Sequence, residues 1–398
     1  MAVDPFLTTV GKILGDDGFV PWVEEAAFKF SMYNFVMAQR VNVMGDMTGW
    51  NVRKVSEYRR PKGAHKLEEG EPIPVSRLDR KRLAEIEPEE WGDKYLLTDR
   101  RISTDLEDVV ADAATALGYS LGRKREQLLF QALIEAADIA GHNLQLSGSD
   151  YQLAQAVQLQ AFYEGKSWGG DIYHVIHPYQ QLDIMEELLD LEKSANPAFR
   201  NSMISSWTFG GFGGLNVAVS GMVPRNVTFR LVMAGAVQGN TFRLRFGLED
   251  TASITVGASV AATLTAIENA LNALDVAVEN GWTFDATGTT YDDIEVTSNA
   301  YVDEEMQLEI GQDADANEFD NVTGGLVIQE VSATARAPFF QRNAVVYDRR
   351  SRLNAFRSFD PDTRTLKIGA YEVYGVGPWN ARLASYIETD ATSPVAVP

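Results

Sequence analysis

The chain has 398 residues, 45% of them hydrophobic and 23% charged, a balance that folds and is long enough for two or three packed units. It has no cysteine and four histidines, which excludes disulfides, thiolate metal sites, Fe–S clusters and cysteine nucleophiles, and leaves little for a histidine-built metal site. The formal charge of −21 has the wrong sign for a protein that coats nucleic acid with its whole surface, and no stretch approaches the ~18 apolar residues of a membrane helix.

The opening Met1-Ala2-Val3-Asp4-Pro5 lacks the basic and apolar regions of a secretory signal. Residues 1–50 show no sustained period. Glu24 to Arg40 is compatible with a helix, and the rest reads as an extended arm. Phe6, Leu7, Phe19, Trp22, Phe28, Phe30 and Phe35 make it too apolar to be free in water. Residues 53–82 then hold ten basic residues interleaved with acids, and Pro61, Gly63, Gly70, Pro72 and Pro74 break any helix. With β-capable pieces at Val52 to Tyr58 and Tyr95 to Leu97, this reads as a long two-stranded loop that must be held by a partner surface.

Thr104 to Ile139 is the clearest helix. Thr104 and Glu107 form a capping box, and apolar residues recur at Leu106, Val110, Ala113, Leu117 and Leu121. The stripe pauses at Arg123-Lys124-Arg125 and resumes at Leu128, Ala132, Ala136 and Ile139, giving a rod of roughly 50 Å. Residues 151–224 alternate: helix at Tyr151 to Tyr163, strand at Ile172 to Ile176, helix at Tyr179 to Leu191, strand at Leu215 to Val219. Residues 226–335 alternate as strands at 241–246, 293–296 and 306–310, around one helix from Ser259 to Leu274. Eighteen acids against three bases give this segment −15 of the chain's −21, a composition break that marks a separate domain. Basic residues return from Arg336. Strands at Thr365 to Ile368 and Tyr371 to Val376 are expected to meet at a Gly369-Ala370 turn, and Ala391 to Pro398 reads as a plain tail.

No residue set calls for catalysis. His174 and His177 sit three apart on a predicted strand, point to opposite faces and read as an ordinary sheet edge rather than a metal pair. Asp313-Ala314-Asp315-Ala316-Asn317 opens like a calcium loop, but Glu318 and Gly324 stand where the turn glycine and bidentate glutamate belong. Gly210 to Gly214 lacks the lysine and hydroxyl of a phosphate cradle. Arg123-Lys124-Arg125 fits a nucleic-acid contact or, with Glu126 beside it, a salt-bridged subunit contact. No acid/base pair can be named, so no enzyme activity and no cofactor is expected.

Several segments, in order, resemble the major capsid protein of tailed bacteriophages, the HK97-type fold. Residues 68–76 (EEGEPIPVS) are similar to the tip region of that family's extended loop, and 104–139 to its spine helix, with Glu126 to Leu133 in family-like wording. Val175 to Gln180 is similar to the strand followed by a helix of its axial domain, Gly213 to Ser220 to the later strand of that domain, and Tyr371 to Asp390 to the closing peripheral-domain strands. The resemblance implies an α+β chain with an N-terminal arm (1–50), an extended β-loop (51–100), a peripheral domain with the spine helix (101–150) and an axial domain (151–225). An inserted acidic β-rich α+β domain (226–335) follows, then a return through the axial and peripheral domains to a C-terminal tail (336–398). The insertion departs from the family pattern and is itself similar to a small strand–helix–strand module of phage structural proteins.

The implied function is that of a structural subunit of an icosahedral head, self-assembling into hexamers and pentamers around double-stranded DNA without reading its sequence. The implied localisation is the virion, assembled in the host cytoplasm. A separate scaffolding protein and a portal are implied partners, a cement protein is compatible, and no membrane is involved. Arg59, Arg60, Lys62, Lys66, Glu69, Glu71, Arg77 and Arg80 are the expected subunit-interface residues. Lys62 and Lys66 lie where some relatives crosslink, but no partner asparagine or catalytic acid can be assigned. The insertion, repelled by packaged DNA, is expected to face outward. An encapsulin-type nanocompartment shell and a tail-tube protein are the alternatives. A tail-tube protein should lack the long helix.

Overall fold

The computed structural model describes residues 36–58, 80–98, 109–146, 148–166, 170–189, 215–233, 235–247, 249–299, 307–311, 326–351, 353–360 and 363–394. The chain divides into two compact units, Met1–Ala140 with Gln341–Ala384, and Gly141–Phe340 with Ser385–Pro398. Both mix helix and strand, so the chain is α+β, as expected.

The first unit lays one long helix, Val109–Ala140, on a five-stranded sheet. The organising strand is Thr365–Pro378. It pairs Val345–Arg349 and Asn354–Asp360 along one edge and Glu89–Thr98 along the other, while Asn42–Met44 runs parallel to Val345–Arg349. Its alternation decides which face is buried: Leu366, Ile368 and Ala370 meet Ala113, Ala114, Leu117 and Leu121 of the helix, with Leu97 and Leu353 beside them. The expected turn at Gly369-Ala370 is corrected, because the two expected strands are one. Period-two burial continues through Gly369, and the Phe356 ring occupies the space a side chain would need: a Cβ there would lie 2.3 Å from Phe356 Cζ.

The helix also departs from expectation in its second half. Ile139 is exposed and Leu128 half-buried, whereas Ala132 and Ala136 are buried as expected, within a wider band that adds Leu129, Phe130, Leu133 and Ala137. Its expected start, with the Thr104 capping box, lies outside the described residues, as do residues 1–35 of the arm. Residues 36–41 make a turn rather than the end of a helix, with the amides of Arg40 and Val41 both donating to the Met37 carbonyl. The two-stranded loop is built from Arg53–Tyr58 and Arg80–Ile86. Tyr95 to Leu97 belongs instead to the sheet strand Glu89–Thr98. The loop is rooted by Ile86, which packs on Val346 with Met44 and Trp379.

The second unit has two cores joined by one sheet. The first forms where Ile172–Ile176, parallel to Leu215–Val219, packs with the helices Leu153–Gly165 and Pro178–Leu189. The second lies within residues 227–333 and gathers Phe229, Phe242, Phe246, Ile267, Leu271 and Phe284 among others. Ser259 caps its helix Val260–Asn272 by accepting from the Ala262 amide. Asn272 then ties that helix to the edge strand Phe284–Gly288, donating to the Phe284 carbonyl and accepting from its amide. The 16-residue strand Leu326–Gln341 pairs with Arg225–Met233 and with Ala384–Asp390, and contributes to both cores.

Candidate subunit interface and buried charge clusters

Of the expected interface residues, Arg59, Arg60, Lys62, Lys66, Glu69, Glu71 and Arg77 lie outside the described residues. Arg80 opens its strand opposite Tyr58. The described base of the loop is held by ion pairs within the first unit. Asp348, fully buried, accepts from Arg53 Nε at 2.8 Å and Nη2 at 3.0 Å, and Arg350 Nη2 lies 2.7 Å from its Oδ2. Arg53 also pairs with exposed Asp46, and its two carboxylate partners hold its pKa above the usual arginine value. The loop is therefore clamped at its root by charge as well as by Ile86.

Arg123-Lys124-Arg125 is corrected in part: Arg125 is neither a surface contact nor a nucleic-acid contact. It is buried on the apolar side of the helix, bonded to Glu372 through Nε at 3.2 Å and Nη2 at 2.9 and 3.0 Å, with its guanidinium 5.5 Å from the Tyr347 ring centre. Lys124 lies over the Trp91 ring at 4.6 Å. The next residue, Glu126, is also buried. Its carboxylate accepts the backbone amides of Val36 and Met37 at 2.9 to 3.0 Å, pinning the chain where it leaves the arm. Burial pushes this carboxyl up to about 7, against the pull of those two amides and of Arg125 and Arg40.

His174 and His177 are core residues, which corrects the expected sheet edge. Ile172–Ile176 has neighbours on both sides, and His174 is 1% exposed. The Pro338 carbonyl, 3.0 Å away, can only accept, so His174 Nδ1 carries the proton and Nε2 accepts from the Tyr151 hydroxyl at 2.6 Å. His177 follows the strand, and its Nδ1 accepts from the Tyr179 amide. Burial lowers His174 to about 4 and His177 to about 3, so both are neutral near pH 7. Gln180, buried beside them, donates to the Ala335 carbonyl and to Thr389 Oγ1, and accepts from the His177 amide.

The calcium-like segment at 313–324 and Gly210 to Gly214 lie outside the described residues. Among the described residues no group of three or more His, Asp or Glu side chains could hold a metal, and no helix is long and apolar enough to cross a membrane. The groove between Gln307–Ile310 and Leu326–Glu330 offers Glu309 and Glu330 as its ionisable groups, and Glu330 is paired with Arg225.

No curated protein matches the chain. Among solved structures it is similar to those of Mycobacterium phage Che8 (11% identity, TM-score 0.48, covering 89% of this chain and 90% of that one) and of the Cyanophage P-SCSP1u capsid (10%, 0.48, 88% and 86%). A further similar structure is the head of Helicobacter pylori bacteriophage KHP40 (10%, 0.47, 88% and 87%). A family model described as phage capsid protein matches residues 83–249, from within the strand Arg80–Ile86 to just past Leu244–Phe246. Over that segment the chain is similar to phage capsid proteins, the family its sequence resembles.

Proposed function

We propose that this chain is the major structural subunit of an icosahedral phage head with the HK97-type arrangement, self-assembling into hexamers and pentamers that enclose double-stranded DNA. The family match over residues 83–249 carries the reading, because it spans the long helix and the parallel strand pair that the resemblance calls spine and axial domain. The presence of a 32-residue helix also favours a shell subunit over a tail-tube protein.

The described root of the loop is a two-stranded ribbon, Arg53–Tyr58 with Arg80–Ile86, the sequence between them is rich in charge, and a ribbon is marginal alone. Its anchored root leaves the tip to be completed by a neighbouring copy. Each exposed ion pair there contributes only ~0–1 kcal/mol, but the contact recurs in every subunit of a closed shell. The fold is that of a scaffold with a buried neutral or paired polar interior, and the work is done at surfaces between copies. A separate scaffolding protein and portal, and assembly in the host cytoplasm, belong to the same reading. Replacing Arg59, Arg60, Lys62 and Lys66 together with glutamate is expected to leave the subunit folded by circular dichroism and to abolish particles in sedimentation. Normal particles from that variant would contradict the reading.

A further inference from the structure

The strand pairing that joins the two cores of the second unit is interrupted at one residue. Glu330 faces Phe229 and Ser332 faces Thr228, so Val331 is extra, and it is 44% exposed. A bulge adds local bend and breaks the ladder, so this is where the joining strand has least to resist rotation. Two features bridge it.

The first is Arg225, at the start of the partner strand. Its guanidinium lies 4.9 Å from the Tyr179 ring centre, in the first core's helix Pro178–Leu189, and pairs with Glu330 beyond the bulge. The second is the end of the chain. Ala384–Asp390 lies beside Leu326–Gln341 and puts Ile387 in the first core; the expected plain tail then continues along the same strand. The Ala391 amide donates to the Ala333 carbonyl at 2.9 Å, Thr392 Oγ1 accepts from the Ala333 amide at 3.0 Å, and the Ser393 amide donates to Glu330 Oε1 at 2.8 Å. Residues 391–393 thus hold both sides of Val331, and Glu330 is where strap and ion pair meet.

We propose that residues 391–393 are a strap that sets the angle of the acidic module (227–333) on the first core, and that Val331 is the hinge it restrains. Of the module's core only Val227 and its pair Ala333 lie on the first-core side of the bulge, so the rest can turn about Val331 without unfolding. Releasing the strap frees its direction and leaves both cores intact. The inference does not depend on shell assembly.

The cysteine-free chain allows a direct test on the soluble subunit. Leu182→Cys on the first core's helix and Val278→Cys on the module, both exposed, carry spin labels for pulsed distance measurement. The full chain is expected to give one narrow distance, and a chain ending at Asp390 a broad distribution. Thr392→Val, which removes one acceptor and leaves the tail in place, should broaden it less and speed exchange of the Ala333 amide about tenfold or less, the scale of one hydrogen bond. Protection in Ile172–Ile176 and Ile294–Ser298 should not change in either variant. An unchanged distance width after truncation, or a fall in protection shared by both cores, would overturn the proposal.

Discussion

The two units bury polar groups in opposite ways. The first buries charges and pairs them: Arg125 with Glu372, Asp348 with Arg53 and Arg350, and Glu126 against two backbone amides. The second relies chiefly on neutral groups: His174 between Tyr151 and Pro338, Gln180 between Ala335 and Thr389, and Tyr163 on Ser385 and the Phe339 carbonyl. A buried ion is costly once its partner is lost, whereas a neutral hydrogen bond contributes about 1 kcal/mol net. The first unit therefore concentrates its vulnerability in a few pairs, and the second spreads it over a network.

The largest effect follows from breaking one pair. Arg125→Met alone leaves the Glu372 carboxylate buried without its partner and should cost about 3–5 kcal/mol. Combining it with Glu372→Leu should recover most of that loss, because a well-packed apolar pair replaces the ions at similar volume. Denaturant titration followed by hydrogen exchange in Thr365–Pro378 measures both. A double variant as unstable as the single would mean that the cost comes from lost packing rather than from the unpaired charge.

The comparison sharpens with pH. The Glu126 carboxyl is raised from 4.5 to about 7 in the fold, so its contribution is fully present below pH 4.5 and is lost as pH rises toward 7, by about 3 kcal/mol at most. His174 and His177 are lowered from 6.5, so their contribution is present above pH 6.5 and is lost as pH falls toward 4 and 3. Asp183, raised by burial from 3.8 to about 6, opposes the two histidines in part, so the units should weaken in opposite directions across pH 4.5–7 with the second unit's slope reduced. Glu126→Gln should flatten the first unit's dependence and leave the second unchanged, as read by exchange rates in each. A slope that survives the substitution would assign the dependence to other groups.

A smaller effect separates two glycines of one strand. A Cβ at Gly375 would lie 2.7 Å from the Glu87 carbonyl oxygen and 2.8 Å from Ile86 Cγ2, so backbone must move and Gly375→Ala should cost about 1–3 kcal/mol. At Gly369 the nearest obstacle is the ring of Phe356, which is 40% exposed and can swing aside, leaving the Asp93 carbonyl oxygen at 3.1 Å to give slightly, so Gly369→Ala should cost less than Gly375→Ala, about 1 kcal/mol. Equal losses in thermal unfolding would show that the ring is as fixed as the backbone.

Much of this was legible in local pattern. The long helix, the strand–helix alternation of 172–189 and the Ser259-capped helix follow from spacing and caps. The misreadings have identifiable causes. Arg125 lies four residues after Leu121 on the same helix face, so its position already required a buried partner, but a run of three basic residues read as surface. Alternation at Leu366, Ile368 and Ala370 passes unbroken through Gly369, and that period, not the glycine, decides the strand's length. Other features had no local signal. The parallel pairing of Asn42–Met44 with Val345–Arg349 spans some 300 residues, and Ala391 to Ser393 dock on a strand some sixty residues earlier. As for the interface, sequence singled out a charged loop, while its described root shows that Arg53 serves the subunit's own clamp.

Electron cryomicroscopy of particles purified from cells expressing the full chain, with their contents extracted and identified, tests the central claim most directly. The account predicts closed icosahedral shells of hexamers and pentamers, each loop resting on a neighbour and the acidic 226–335 module on the outer surface, with double-stranded DNA inside particles from infected cells. Stacked rings, or small soluble oligomers under all assembly conditions, would contradict it. Closed shells holding a protein cargo instead of DNA would keep the fold and replace the phage head by a cellular nanocompartment.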